Sequence, residues 1–353
     1  MSTHPAVTIA GKCVGVGHPP YVVAEAGVNH GGEVAQAHRL IDAARAARAD
    51  AVKFQVFSAD RLVSRTAPSC TYQKQHTART TSQHAMLQSL ELSEAAFREL
   101  KAHADDAGIQ FLATPFGIAD LEFLVKLSVP AVKIASTDAV NVPLLRAAAD
   151  TGLPLILSTG ACTIEEIDAA VALVRSRQAA DKLILLHCVS AYPTRPEDAR
   201  LRCVQALADR HGVPTGFSDH TPEPEFSALA VAAGAVILEK HLTLDRGGPG
   251  PDDFFSLLPE QMSQYVAHAH SAFRVLGDGA FSVAAQEQEV RDLARGSVFT
   301  VAGLRAGQQL TAEVLSVRRP GGGIQPRDWD RVIGCRAKAD IPADTQLTWS
   351  MLR

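Results

Sequence analysis

No stretch of this chain is apolar for long enough to span a bilayer; the longest such run, near 226–238, falls short. The first residues lack a basic segment followed by an apolar one, so neither secretion nor membrane insertion is expected. Paired cysteines are missing too. Cys13, Cys70, Cys162, Cys188, Cys203 and Cys335 are scattered with no CxxC pair and no framework spacing, which fits reduced thiols and a cytoplasmic location. A strong net charge is lacking as well: the formal value is −4, which gives no reason to expect nucleic acid or an anionic membrane as partner. Aromatics are few, at 5% of 353 residues, but 46% of the chain is hydrophobic, enough for a large core and for more than one domain.

What the chain does have is a repeated alternation. Short Val/Ile/Leu-rich runs stand at 21–26, 51–56, 109–114, 131–135, 154–158, 183–188, 213–217 and 235–239, separated by Ala/Leu-rich amphipathic stretches. Helix punctuation accompanies them: Ser93 as a cap with Gly108 as the stop, Thr163 with Glu166 as a capping box, and Thr221 before Pro222 as N-cap and first helical residue. Eight strand–helix repeats predict a closed (β/α)8 barrel over 1–276 rather than an open doubly wound sheet. The glycine-rich dinucleotide fingerprint of the open sheet is absent, since Ala24-Glu-Ala-Gly-Val-Asn-His-Gly-Gly32 is not GxGxxG. A polar insertion over 57–88 reads as either a functional lid or a disordered loop. A polar linker is expected over 277–293 and a small β-rich domain, with many Gly and Pro, over 294–353. From Ala294 onward nine Lys/Arg face five Asp/Glu, so a basic tail follows an acidic body and could close over a site for an anion.

Chemistry in such a barrel sits where the strands end. Thr215-Gly-Phe-Ser-Asp-His-Thr221 and Ile237-Leu-Glu-Lys-His-Leu-Thr243 both end in a histidine beside hydroxyl and charged groups. Alternation puts Ser218 with His220 on one face and Glu239 with His241 on another, which suggests a metal site; satisfied core histidines are the plainer alternative. Lys53 and Lys133 each stand between apolar neighbours. Lysine is rarely buried without an anion, because stripping water from an ammonium costs several kcal/mol or more. The anion is either Glu25 or Glu239 of the chain itself, or a bound phosphate or carboxylate assisted by nearby hydroxyls such as Ser158, Thr159, Ser190 and Ser218.

These motifs, in order over nearly the whole chain, resemble the sialic acid synthase family: Ala24-Glu-Ala-Gly-Val-Asn-His, Val52-Lys-Phe-Gln, Ala113-Thr-Pro-Phe, Lys133-Ile-Ala-Ser, Leu157-Ser-Thr-Gly, His187-Cys-Val-Ser-Ala-Tyr-Pro-Thr, Phe217-Ser-Asp-His-Thr, Glu239-Lys-His and Gly250-Pro-Asp. Gly296-Ser-Val, Arg318-Arg-Pro-Gly-Gly-Gly-Ile and Val332-Ile-Gly resemble its C-terminal antifreeze-like (SAF) domain. The resemblance implies a transferase of the N-acetylneuraminate synthase type. Such an enzyme condenses phosphoenolpyruvate with an N-acylated hexosamine, typically N-acetylmannosamine, to give a nonulosonic (sialic) acid and phosphate.

The resemblance further implies that His220 and His241 hold a divalent metal, Mn²⁺ or Mg²⁺, and that Lys53, Lys133, Ser136, Ser158 and Ser218 grip phosphoenolpyruvate, with Thr114 and Ser190 also in the substrate site. Glu25, Gln55, Tyr192 and Asp252 lie near the sugar, and Arg319 reaches the N-acyl group from the partner in a domain-swapped homodimer. Asp138 occupies the position of the acid/base. Two lysines nearby are expected to keep Asp138 ionised, suiting it to the role of base; its plainer role is to cap the helix near Pro143. The sequence departs from the family at Ser190-Ala191, Asp253 and Phe254-Phe255, which leaves open N-acetylmannosamine, its 6-phosphate and the diacetamido precursors of legionaminic or pseudaminic acid. Two other classes stand beside this reading: a non-catalytic carbohydrate-binding protein on the same scaffold, and a metal-dependent pyruvate aldolase.

Overall fold

Strictly alternating side chains around short apolar runs give each strand two faces, and the fold uses both. In the computed structural model, which describes residues 6–68, 82–178 and 180–353, the runs become eight parallel strands. They are β3 (Tyr21–Gly27), β4 (Ala51–Val56), β5 (Gln110–Pro115), β6 (Val132–Ile134), β7 (Leu155–Ser158), β8 (Leu183–Cys188), β9 (Thr215–Asp219) and β10 (Ile237–His241). β10 pairs with both β9 and β3 and closes the barrel. Two shorter strands precede them, β1 (Val7–Ile9) and β2 (Lys12–Val14), joined as an antiparallel hairpin that the sequence reading did not include.

Outward residues such as Val52, Phe54, Phe111, Phe217 and Leu238 pack into a core with the surrounding helices. Burying a Phe or Leu side chain contributes roughly 1.5–3 kcal/mol, so this outer layer carries the stability. Inward residues form two storeys. The lower one is apolar: Tyr21, Val23, Ala51, Leu112, Ile156, Ile184, Leu186 and Ile237 pack with Val7, Ile9 and Val14 of the hairpin, which plugs that end. The upper one is polar and holds the site. At Gly216 of β9 an added Cβ would lie 2.0 Å from the Ile237 carbonyl oxygen, so the close approach of β9 to β10 requires glycine there.

The helix Glu94–Ala107 is capped by Ser93 Oγ, 3.2 Å from the Ala96 amide, and stopped by Gly108 at φ +72°. Thr163 and Glu166 form the reciprocal capping box of Ile164–Arg175, with bonds of 3.3 and 2.8 Å. The expected cap at Thr221 is corrected. The next helix is Phe226–Ala232, and Thr221 instead donates its amide (2.8 Å) and hydroxyl (2.6 Å) to Asp219 Oδ1. A short-range acceptor two residues back competes successfully for a residue that would otherwise cap a helix. Asp138 is not the cap of Val142–Asp150 either; Asn141 Oδ1 takes the Leu144 amide at 3.3 Å.

The barrel lies in a first compact unit, Met1–Asp278, and the second unit is Gly279–Arg353. The stretch read as a linker contains a helix, Gln288–Ala294. The second unit has its own core around Val298, Leu310, Leu315, Ile324 and Leu347. Its backbone pairing is sparse: β11 (Ser297–Thr300) lies antiparallel to β12 (Leu315–Arg318), with isolated bridges such as Leu304–Ile341 and Ala337–Leu352. Among the described residues no helix is long and apolar enough to cross a membrane. The apolar run near 226–238 is split between the helix Phe226–Ala232 and β10.

Candidate active site

The C-terminal strand ends enclose a cavity of about 550 Å³. Glu25, Lys53, Gln55, Thr114, Lys133, Ser136, Asp138, Ser158, Ser190, Tyr192, Ser218, His220, His241 and Asp252 all line it. Arg319 belongs to the second unit, where it is exposed. Asn29 and Thr159, near the ends of β3 and β7, serve the scaffold instead. Asn29 Nδ2 donates to the Leu242 carbonyl (2.9 Å) and Ser256 Oγ (3.0 Å), and Thr159 Oγ1 donates to the Leu186 carbonyl (3.0 Å).

The floor is a charge cluster. Lys53 and Lys133 are each only 3% exposed. Lys53 Nζ lies 2.8 Å from Glu25 Oε2 and 3.6 Å from Glu239 Oε1, and donates to Thr114 Oγ1 at 3.0 Å. Lys133 Nζ reaches the same Glu239 oxygen at 3.6 Å, and Ser218 Oγ donates to it at 3.2 Å. Gln55 Nε2 donates to Glu25 Oε1 at 3.1 Å.

The two ammonium groups are unequally compensated. Burial disfavours the Lys53 cation, but Glu239 and Glu25 outweigh it and hold its pKa above the usual lysine value. For Lys133 burial dominates: one shared carboxylate, with Lys53 repelling, leaves its pKa below the usual value. The carboxylates divide in the same way. Burial raises Glu239, yet Lys133 and Lys53 pull it below the ordinary carboxylate range, whereas burial keeps Glu25 above it. Lys133 therefore has room for a second anion, and the Ser158 hydroxyl in the same cavity is buried with no hydrogen-bond partner among the described residues. Of the two anions expected for these lysines, the structure shows the internal one, Glu25 and Glu239.

The imidazoles stand together, with ring centroids 5.4 Å apart. His220 Nδ1 lies 2.9 Å from the Val189 carbonyl oxygen, to which it donates, so the neutral ring carries its lone pair on Nε2. Burial lowers the His220 pKa, but Cys188, whose Sγ is 3.9 Å away, and the Val189 carbonyl outweigh it and hold it above the usual value. A cation there competes with a proton. His241 is neutral, its pKa driven well below the usual value by burial and by His220. Among the described residues its buried Nδ1 has no hydrogen-bond partner, and Asp252 Oδ2 lies 3.7 Å from it.

Two imidazole donors with an open cavity before them fit a cation that keeps most of its coordination sphere for substrate and water. Among the described residues no group of three or more His, Cys, Asp or Glu is arranged to hold a metal by itself. Burial and Glu25 push Asp252 up to about 7.

Asp138 requires a correction. The lysines are engaged with Glu25 and Glu239 and do not lower its pKa; burial pushes its carboxyl above the usual range, partly offset by the Asn141 Nδ2 donor at 2.9 Å. Glu239, expected on one face with His241 and as an ion partner of the lysines, lines the cavity. Cys188, which was not among the expected site residues, lines it too and follows Ile184 and Leu186 on the inward face of β8. The middle of the polar insertion, 69–81, with Cys70, lies outside the described residues. Its flanks form the helices Ala59–Leu62 and Gln83–Leu90, and Phe57, Leu62, Val63, Met86, Leu87 and Leu90 from this region line the cavity.

Comparison with known proteins places the chain. A NeuB family model matches residues 40–281 and a SAF domain model residues 291–353. The chain is 40% identical over 332 residues to the N,N'-diacetyllegionaminic acid synthase of Legionella pneumophila, covering 93% of each. It is 32% identical to the N-acetylneuraminate-9-phosphate synthase of Mus musculus, over 95% of this chain and 93% of that one. The solved N-acetylneuraminic acid synthetase of Leptospira borgpetersenii superposes with a TM-score of 0.72 at 36% identity, covering 80% of this chain and 94% of that one. With a lysine-floored barrel mouth and these relatives, the chain belongs to the NeuB family, the sialic acid synthases, with a SAF domain at its C-terminal side.

Proposed function

We propose that the chain condenses phosphoenolpyruvate with an open-chain N-acylated hexosamine and water, releasing a nonulosonic acid and phosphate. The observation that supports this most is the under-compensated Lys133 ammonium, in one cavity with two imidazoles and with a Ser158 hydroxyl that has no hydrogen-bond partner among the described residues. A small molecule bearing both carboxylate and phosphate meets those needs together. Lys53, Lys133, Thr114, Ser136, Ser158, Ser190 and Ser218 bind it, which orients C3 of the enol toward the sugar. His220 and His241 would hold Mn²⁺ or Mg²⁺, which when bound supplies Lewis acidity toward the aldehyde oxygen. Carbon–carbon bond formation leaves cationic character at C2, where water adds, and phosphate departs with C–O cleavage as the lysines stabilise its charge. Asp138, with its raised pKa, takes the proton of that water and can return one to the nascent sugar hydroxyl.

Glu25, Gln55, Tyr192 and Asp252 face the sugar in this reading. Among the described residues Lys53 and Lys133 are the only Lys or Arg side chains on the cavity wall. The apolar wall from Phe57 to Leu90 suits acetamido methyls and a deoxygenated C6. It favours a diacetamido-trideoxyhexose over N-acetylmannosamine, in line with the name of the Legionella relative. A cytoplasmic homodimer, with Arg319 of each SAF domain serving the partner's sugar site, completes the proposal.

The test is a panel of N-acetylmannosamine, its 6-phosphate and 2,4-diacetamido-2,4,6-trideoxyhexoses, each incubated with phosphoenolpyruvate and Mn²⁺. Inorganic phosphate and product mass are scored. The diacetamido sugars should release phosphate fastest. Product made from pyruvate without phosphate release would identify an aldolase instead, and sugar binding without turnover of any member would identify a binding protein.

A further inference from the structure

Behind the two imidazoles, on the opposite face of the same strands, lies a second charged group that the reaction does not touch. Alternation that turns Ser218, Glu239 and His241 inward turns Asp219 and Lys240 outward, toward the helix layer, where their strand neighbours Phe217 and Leu238 are core residues. Asp219 is 0% exposed and Lys240 1%. They are register partners across β9 and β10, with Lys240 Nζ 3.2 Å from Asp219 Oδ2 and 5.5 Å from the Tyr265 ring centroid.

A buried ion pair is poor evidence of stabilisation, because well-packed apolar residues of similar volume commonly do as well or better. What this pair does have is geometry. Asp219 Oδ1 accepts both the amide and the hydroxyl of Thr221, closing the turn that ends β9 around His220. Lys240 Nζ donates to the Thr221 carbonyl, so the residue after His220 is tied to the residue before His241. The His220 carbonyl accepts the Thr194 amide at 2.8 Å, and the His241 carbonyl accepts the Leu257 amide at 2.9 Å. The parallel ladder joins the two backbones as far as the Asp219–Lys240 register, and the Asp219–Lys240–Thr221 knot carries that link past the end of β9, across His220.

We infer that Asp219 and Lys240 are positioning residues which set the separation of His220 and His241, and so the affinity of the site for a divalent cation. The inference rests on the metal reading given above. Partners outside a metal's own ligands commonly change affinity 10–100-fold when removed.

The experiment measures Mn²⁺ binding directly, by the free-Mn²⁺ electron paramagnetic resonance signal of the full chain without substrates. It compares wild type, His241→Ala, Asp219→Asn, Lys240→Met and the double variant Asp219→Asn/Lys240→Met, with circular dichroism and melting temperature for each. Asp219→Asn keeps the Oδ1 acceptor for Thr221 and loses the charge; the double variant removes both charges and leaves none unpaired. The double variant should melt within a few degrees of wild type yet bind Mn²⁺ at least ~10-fold more weakly, with kcat lowered and the KM for phosphoenolpyruvate nearly unchanged. Mn²⁺ binding that His241→Ala abolishes but the folded single and double variants keep at wild-type strength overturns the role of the pair alone. If wild type binds no Mn²⁺, or His241→Ala binds it equally well, the metal reading falls and this inference with it.

Discussion

At the scale of single residues, the site is decided by how few anions share two buried cations. Glu239 Oε1 stands 3.6 Å from both lysine nitrogens, and Glu25 reaches only Lys53. Removing Lys133 therefore leaves no internal carboxylate orphaned, since Glu239 keeps Lys53 and the Ser218 hydroxyl. Lys133→Met should accordingly keep its melting temperature and lose substrate affinity. The loss of a charge-assisted contact to the bound anion is worth about 3 kcal/mol, or ~100-fold in kcat/KM for phosphoenolpyruvate. Steady-state kinetics beside a thermal melt checks it. A large drop in melting temperature with unaltered kcat/KM would make Lys133 a structural lysine. The two strand lysines were legible in sequence because a charged residue flanked by valine, phenylalanine or isoleucine on a strand has only the barrel interior to enter. The upward direction of the Asp138 shift was not, because it depends on which carboxylates the lysines had already met.

At the scale of elements, the eight strands were legible because each is a short β-branched or leucine-rich run, and their ends shifted by at most two residues. β4 and β8 have the very bounds read from sequence, whereas β9 and β10 start and end two residues later than the runs 213–217 and 235–239. The shift arises because Ser218, Asp219, Lys240 and His241 are polar and look like loop, yet remain in the ladder to bring their side chains to the site and its rear face. The hairpin β1–β2 was missed for a different reason. Its strands are three residues each, and its turn is Ala10-Gly11, with Ala10 at φ +47° and Gly11 at φ +81°, where Asn-Gly would have been the recognisable signal. Ile9 is 0% exposed in the lower storey of the barrel. Ile9→Ala should lower stability by about 3 kcal/mol, read by chemical denaturation, while leaving both KM values unchanged, because the chemistry lies at the other end of the strands. A rise in either KM would mean the plug and the site are coupled.

At the scale of the whole molecule, a barrel with its own plug and core and a SAF domain with its own core need not act on the same substrate within one chain. The change from acidic body to basic tail was readable in composition, and the tail's arginine before a proline was readable by resemblance; where that arginine acts is a question of assembly. If the proposed swapped dimer forms, a barrel lacking its metal ligand and a tail lacking Arg319 damage different sites in a mixed dimer. His241→Ala should be inactive, and Arg319→Ala should be nearly inactive at low sugar concentration while keeping its phosphoenolpyruvate KM. Mixed after mild dissociation, the two should regain about a quarter of wild-type activity, since half of the dimers are mixed and each of these holds one intact site. Arg319 acting on its own chain's barrel gives no regain, because every barrel would then carry one lesion. The measured recovery on mixing thus reports which subunit's tail completes the sugar site, and zero recovery from a mixture shown by native mass spectrometry to contain mixed dimers would remove the swap from the proposal.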